Sequence, residues 1–228
     1  MKLYAGTSGF SFKEWKGPFY PEDLPADHML EYYASRLPTV EINNTFYRMP
    51  KQSVLEGWAR KVPETFRFAI KAPRRISHSK QLEDCEEEAG YLFKALECLG
   101  ERLGTVLVQL PPHARVNVEN LDAFLALVPD QVSMACEFRH ASWHDDAVFS
   151  VLEKHQAAWV TTDDKGGEPP GLPKTAPWTY LRLRAPGYTD EALGAWRERC
   201  KDFECAFIYF KHEDEGAGPG LARRMLAL

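Results

Sequence analysis

The sequence predicts an α/β fold, a single (β/α)8 barrel. Three observations lead there. Eight short β-rich runs are spread along the whole chain, amphipathic helical stretches lie between most of them, and polar residues gather at the carboxyl ends of the runs. The runs cover residues 3–8, 39–43, 66–71, 105–109, 132–139, 158–163, 179–184 and 206–211. The helical pattern is clearest over residues 85–102, 117–127, 145–155 and 190–201, with Asn117 and Asp190 as capping-type residues near two of the starts. Eight alternating units favour closure over the alternative, an open doubly wound sheet. Between the sixth and seventh runs the sequence is too short and too rich in Pro and Gly for a full helix, so a reduced connection is expected there.

Two loops interrupt the pattern. Residues 9–21 follow the first strand and carry Phe10, Phe12, Trp15, Phe19 and Tyr20, an aromatic content that predicts an ordered segment. Residues 165–174 have the composition of a mobile connection or lid.

At 228 residues and 44% hydrophobic, the chain can close one substantial core, which predicts one domain over residues 1–228. A formal charge of −5 gives no global attraction to a phosphate backbone, so an anionic ligand must be held by a local basic cluster. Five cysteines without a C-x-x-C pair argue against a disulfide framework and a thiolate zinc site. With no secretory leader pattern and no run near the roughly 18 to 20 apolar residues of a membrane span, the expected setting is cytoplasmic and away from membranes.

Alternation along the strands is the most informative test, because one parity faces the barrel interior and the other packs on helices. Val40 and Ile42 share one parity and Glu41 and Asn43 the other. Phe66, Phe68 and Ile70 oppose Lys71, and Val106 and Val108 oppose Gln109. Met134, Cys136 and Phe138 oppose Glu137 and Arg139, while Leu181 and Leu183 oppose Arg182 and Arg184. Asp163 is expected to join the inward set at the end of the sixth strand. Burying an unpaired charge is costly, so such residues must pair, meet water or meet a ligand. They stand at the end where barrels of this class build active sites.

At these residues the sequence also resembles a known family. The segments Gly6-Thr7-Ser8-Gly9-Phe10-Ser11-Phe12-Lys13-Glu14-Trp15, Phe19-Tyr20-Pro21 and Val40-Glu41-Ile42-Asn43-Asn44-Thr45-Phe46-Tyr47-Arg48-Met49-Pro50 look like successive signatures of the YecE-like family, domain of unknown function 72. So do Phe68-Ala69-Ile70-Lys71-Ala72-Pro73, Ile76-Ser77-His78, Val108-Gln109-Leu110-Pro111-Pro112, Glu137-Phe138-Arg139-His140-Ala141-Ser142-Trp143, Tyr180-Leu181-Arg182 and Tyr209-Phe210-Lys211, in the family's order. The chain departs from the pattern at Phe10 and Phe12, at Arg184 and over residues 211–214. The resemblance implies a triosephosphate-isomerase-type barrel and no particular reaction.

The chemistry follows from the strand-end residues. Glu41, Glu137 and Asp163 are candidate acid/base groups, with His78 as a further acid/base or anion donor. Lys71, Arg139, Arg182 and Lys211 would make an anion site, with Asn43, Tyr47 and Gln109 completing the binding set. The leading expectation is an enzyme, of hydrolase or lyase type, acting on a phosphate-bearing or otherwise anionic substrate. The glycines of residues 215–220, at the entry to the last helix, offer backbone N–H groups to the same end. Two alternatives use the same residues. Glycosidase-like carboxylate chemistry would take Trp15, Phe19 and Trp143 as sugar platforms. A noncatalytic binder of single-stranded nucleic acid or another polyanion would use Trp15 with Lys13, Lys16 and the run Lys71, Arg74, Arg75, His78 and Lys80. No organic-cofactor motif is present. A divalent metal is compatible with His78, Glu41, Glu137 and Asp163, whereas His140 and His144 have zinc-like spacing without partners, and no metal site is assigned.

Overall fold

β-Branched and aromatic runs of four to seven residues form the strands, and their pairing decides between an open and a closed sheet. The computed structural model describes residues 1–163, 170–211 and 216–228. Its strands are β1 (Lys2–Ser8), β2 (Thr39–Ile42), β3 (Arg67–Lys71), β4 (Leu103–Gln109), β5 (Met134–Glu137), β6 (Ala158–Thr162), β7 (Trp178–Leu183) and β8 (Cys205–Phe210). Each pairs in parallel with the next, and β8 returns to β1 from Lys2↔Cys205 to Thr7↔Phe210. The sheet is a closed eight-stranded barrel, which removes the doubly wound alternative.

Outside it lie α1 (Met29–Ala34), α2 (Gln52–Lys61), α3 (Glu86–Leu96), α4 (Val118–Leu125), α5 (Asp146–Lys154), α6 (Asp190–Arg199) and α7 (Ala217–Ala227). Side-chain caps open three of them. Asn117 accepts from the Asn120 N–H at 2.9 Å, Asp145 from Ala147 at 2.9 Å, and Thr189 from Ala192 at 3.2 Å. Asp190 therefore occupies the first turn, where its charge favours the helix dipole, and Thr189 is the cap. The helix expected over residues 85–102 ends sooner: beyond Leu96 it tightens to 3-10 turns, broken at Gly100 with φ +52°. The fifth strand is likewise shorter than residues 132–139, its pairing with β6 being limited to Ala135↔Ala158 and Cys136↔Trp159.

Between β6 and β7 the described residues 170–177 form no helix. They lie along β6 instead. Thr161 Oγ1 donates to the Gly171 carbonyl at 3.1 Å, and Thr175 Oγ1 accepts from the Trp159 N–H at 3.0 Å while donating to the Ala157 carbonyl at 2.7 Å. The described part of the expected lid is thus tied to the barrel wall at Gly171 and, just beyond its end, at Thr175. The lid's residues 165–169 lie outside the described residues.

One parity of the strands, including Val40, Ile42, Phe68, Ile70, Val106 and Val108, is buried against the helices. The other fills the barrel with Tyr4, Ala69, Leu107, Ala135, Val160, Trp178, Tyr180, Phe207 and Tyr209. Tyr4 stacks on Phe207 at 4.9 Å and Tyr180 lies 5.0 Å from Tyr209, so the lower and middle barrel is plugged by aromatic rings. The close approach of β1 to β2 depends on Gly6, where a Cβ would stand 2.1 Å from the Thr39 carbonyl oxygen. Gly6→Ala is expected to displace β2 and cost several kcal/mol, of the order seen for overpacked cores. Gly57→Ala, in α2 with nothing within 4 Å of the added carbon, should instead stabilise by about 0.5–1 kcal/mol. Chemical denaturation of the two variants checks this opposition in sign. Among the described residues no helix is long and apolar enough to cross a membrane.

Candidate functional site at the barrel mouth

Above the aromatic plug, the inward parity turns polar. Lys71, Gln109, Thr162 and Arg182 from four strands, with Arg139 and Arg184 just beyond strands β5 and β7, line a cavity of about 410 Å³ that Lys211 also borders. Behind this lining, bonded to its Gln109 and Arg182, lie Glu41 and Glu137, with 0% and 1% of their surface exposed. Buried carboxylates at this depth require compensation.

Arg182 supplies it. Its Nη1 donates to Glu137 Oε2 at 2.6 Å and its Nη2 to Glu41 Oε1 at 3.0 Å, so one guanidinium bridges both acids. Glu41 also accepts from Asn43 Nδ2 at 2.8 Å and from the Tyr180 hydroxyl at 2.7 Å. Glu137 Oε1 accepts from Gln109 Nε2 at 2.6 Å and from Arg139 Nε at 3.0 Å. Lys71 Nζ in turn donates to Gln109 Oε1 at 2.7 Å. Arg184 lies 3.7 Å from Glu41 and donates to Ser8 Oγ at 2.9 Å. One connected network therefore runs from Lys71 through Gln109, Glu137, Arg182 and Glu41 to Tyr180.

The electrostatic consequences differ by residue. Burial alone would raise the Glu41 carboxyl, but Arg182 and then Arg184 outweigh it and hold the group far below the ordinary carboxylate range. Glu137 is lowered against the same burial by Arg182 and Arg139. Lys71 moves the other way for an amine: burial, followed by repulsion from Arg182, lowers it to about 8. Its ammonium also lies 4.5 Å from the Phe46 ring centroid. Tyr180 is pushed far up by burial beside Glu41, so its hydroxyl stays a donor.

The inward placements of Glu41, Asn43, Lys71, Gln109, Glu137, Arg139 and Arg182 thus come together. The others do not. Asp163 was expected inward, but β6 turns Val160 into the barrel and Thr162 into the mouth, and Asp163 falls on the opposite parity. There its Oδ1 accepts from the Arg184 and Ala185 N–H groups at 2.6 and 3.2 Å, and its Oδ2 from the Tyr188 hydroxyl, fixing the loop after β7. His78 shares a 2.9 Å hydrogen bond with Ser77 and packs edge-on against Phe46 at 4.9 Å, without a hydrogen bond to the network. Burial and the neighbouring Lys71 and Arg74 cations lower its pKa, favouring neutral imidazole.

Neither tryptophan is a platform. Trp15 has 0% of its surface exposed and packs among Phe12, Phe19 and Tyr20. Trp143 is stacked on Phe138 at 4.4 Å and its indole N–H donates to the Ala114 carbonyl at 2.9 Å. Tyr47 is 83% exposed, in a separate cleft bordered by Met49, Arg74 and Tyr91. The basic run also disperses: Lys71 turns into the barrel, whereas Arg75 and Lys80 both pair with Glu88, at 2.5 and 2.9 Å. His78, Glu41, Glu137 and Asp163 do not form a ligand set, and among the described residues no group of three His, Cys, Asp or Glu side chains is arranged to hold a metal ion.

Tyr180, Ser8 and Phe46 belong to the site but were absent from the candidate set, and Arg184, inward by parity, was given no role in it. Tyr180 and Arg184 share the parity of Arg182, which is a readable signal. The α7 entry is described from Gly216, which has φ +72°, and residues 212–215, including His212 and Glu215, lie outside the described residues.

The UPF0759 protein YecE of Escherichia coli strain K12 is 33% identical over 114 residues, 49% of this chain and 41% of YecE. The UPF0759 protein YunF of Bacillus subtilis strain 168 is 30% identical over 150 residues, 62% of this chain and 52% of YunF. The matched chain spans about half or less of these relatives' lengths. A crystal structure of a DUF72 family protein from Thermotoga maritima MSB8 superimposes with a TM-score of 0.83 at 28% identity, over 100% of this chain and 98% of that one. The barrel of a second DUF72 protein, from Enterococcus faecalis V583, has a TM-score of 0.79 at 20% identity over 99% of this chain and 94% of that one, and shares the fold. The model of the family described as protein of unknown function DUF72 matches residues 4–228, and the chain belongs to that family.

Proposed function

We propose that the protein is an enzyme acting on a small phosphate-bearing or otherwise anionic substrate bound at the carboxyl-terminal mouth of the barrel. The observation that carries this reading is the charge balance of the cavity. Lys71, Arg139, Arg182 and Arg184 line it, while its two glutamates are already committed to Arg182, leaving positive charge in excess among the described residues. In a recess walled by protein such an excess attracts anions in spite of the acidic whole.

The roles divide accordingly. Arg139 and Arg184 are the substrate's anion clamps, and Arg182 is the fixed bridge that keeps Glu41 and Glu137 ionised. Carboxyls held this far down are poor proton donors at neutral pH, so the acid and base work falls to Lys71. Carboxylate-pair glycoside cleavage loses its acid by the same reasoning, and its platforms Trp15 and Trp143 are buried. The single-stranded nucleic-acid reading loses Trp15 as a stacking surface.

Calorimetric titration with inorganic phosphate and sulfate tests the proposal. Lys71→Ala and Arg139→Ala should each weaken binding about tenfold or more, the loss expected for one charge-assisted hydrogen bond, without unfolding the barrel. Sulfate keeps its charge across the neutral and alkaline range, so its affinity for the wild-type protein should fall as pH rises through about 8, where Lys71 is discharged. Wild-type affinity in both variants would sink the assignment.

A further inference from the structure

Lys71 is the one amine that β3 carries into the mouth from below its rim, and its surroundings set it apart from a plain anion clamp. Its hydrogen-bond acceptor is the neutral amide oxygen of Gln109, at 2.7 Å, whereas both nearby carboxylates are bound to Arg182. No salt bridge within 4.0 Å holds its proton among the described residues, and the Phe46 ring covers one side at 4.5 Å. The titratable groups facing it are Arg182 from β7, Glu41 from β2, Glu137 and Arg139 from the end of β5, and the neutral-favouring His78 from the turn after β3. Beyond its nitrogen the cavity opens toward Arg139 and Arg184.

We infer that Lys71 is a nucleophilic lysine that forms an imine with the carbonyl carbon of an aldehyde or ketone bearing a phosphate or carboxylate group. The inference rests on the anionic-substrate reading above and names the substrate class. An amine attacks a carbonyl only as the free base, and desolvation next to another cation is how proteins make a lysine reactive near neutral pH. The lowering to about 8 fits that requirement.

The step balances without another reactant. The ammonium of Lys71 gives one proton to solvent, and its lone pair forms a bond to the carbonyl carbon as the C=O π pair moves to oxygen. A proton passes from nitrogen to that oxygen, a second from solvent completes a water molecule, and the C–O bond breaks to leave a protonated iminium and water. Arg139 and Arg184 would hold the substrate's anionic end, and the iminium would draw electrons from the adjacent carbon, as bond cleavage or proton removal α to a carbonyl requires. Gln109 is the positioning residue, anchored to Glu137 at 2.6 Å.

Reductive trapping on the wild-type protein tests this. With sodium cyanoborohydride, which reduces the iminium carbon by hydride, pyruvate and dihydroxyacetone phosphate are each expected to add one reduced adduct. Peptide mass mapping should place it on Lys71, ahead of exposed lysines such as Lys13 and Lys51. Sulfate should slow the labelling, the rate should inflect near pH 8, and Lys71→Arg should lose the adduct while still binding sulfate. Labelling spread evenly over surface lysines, or none at Lys71 while sulfate binds, overturns the imine and leaves the anion site standing. Labelling of Lys71 by neutral acetone as fast as by the anionic probes, with no sulfate binding, supports the nucleophile and overturns the anion site. Absence of both adduct and sulfate binding removes both.

Discussion

Arg182→Met should destabilise the protein by about 3–5 kcal/mol, the usual cost of leaving a buried charge without its partner. Two carboxylates are stranded at once, because Glu41 and Glu137 both lean on the same guanidinium at 3.0 and 2.6 Å. The physical cause can be separated from lost packing by a triple variant. Arg182→Met with Glu41→Gln and Glu137→Gln leaves no stranded carboxylate, and most of the lost stability should return. The pH dependence adds a check on sign. In the wild-type protein both carboxyls are lowered from 4.5, so their stabilising share is complete above pH 4.5 and is lost as pH falls further. In Arg182→Met burial acts with less opposition and raises both groups, so acidification relieves the variant down to pH 4.5 and below that weakens the wild type. The stability difference between the two should shrink steadily from pH 7 to pH 4. A constant difference, measured by urea denaturation across that range, would show that Arg182 acts through shape alone.

Trp15→Ala is expected to cost a further 3–5 kcal/mol by itself, through the cavity left in the aromatic cluster. Trp15 touches Phe12 at 4.8 Å, Phe19 at 5.9 Å and Tyr20 at 6.1 Å between ring centroids, and none of its surface meets solvent. For a chain of this length that loss corresponds to roughly 10 °C in melting temperature. Sulfate affinity per folded molecule should stay near the wild-type value, since Trp15 does not line the mouth. A selective loss of anion binding at unchanged stability would restore Trp15 to the binding surface and contradict its structural role.

These two residues mark the two ways in which a sequence reading meets a fold. Arg182, Glu41, Glu137, Lys71, Gln109 and Asn43 were legible because each stands against an apolar residue of the opposite parity, and a strand turns alternate residues to opposite faces whatever surrounds it. Asp163 was not. Its strand reads Ala-Trp-Val-Thr-Thr, apolar on both parities, so only the register of β6 against β7, Val160↔Tyr180 and Thr162↔Arg182, decides which face is inward. Trp15 and Trp143 failed for a different reason. An aromatic residue in a loop is equally suited to a ligand platform and to a core, and the choice depends on which segments fold over it.

The sequence by itself determined the barrel class, the eight strands, the cap at Asn117 and the polar layer at the carboxyl ends, because period and alternation are properties of the backbone. Tertiary structure alone decided that one arginine bridges two glutamates, that Lys71 meets an amide instead of a carboxylate, and that residues 171–175 cover β6 where a helix would otherwise lie. Those outcomes turn on distances of 2.6–3.1 Å between groups up to 141 positions apart, and no local pattern encodes them.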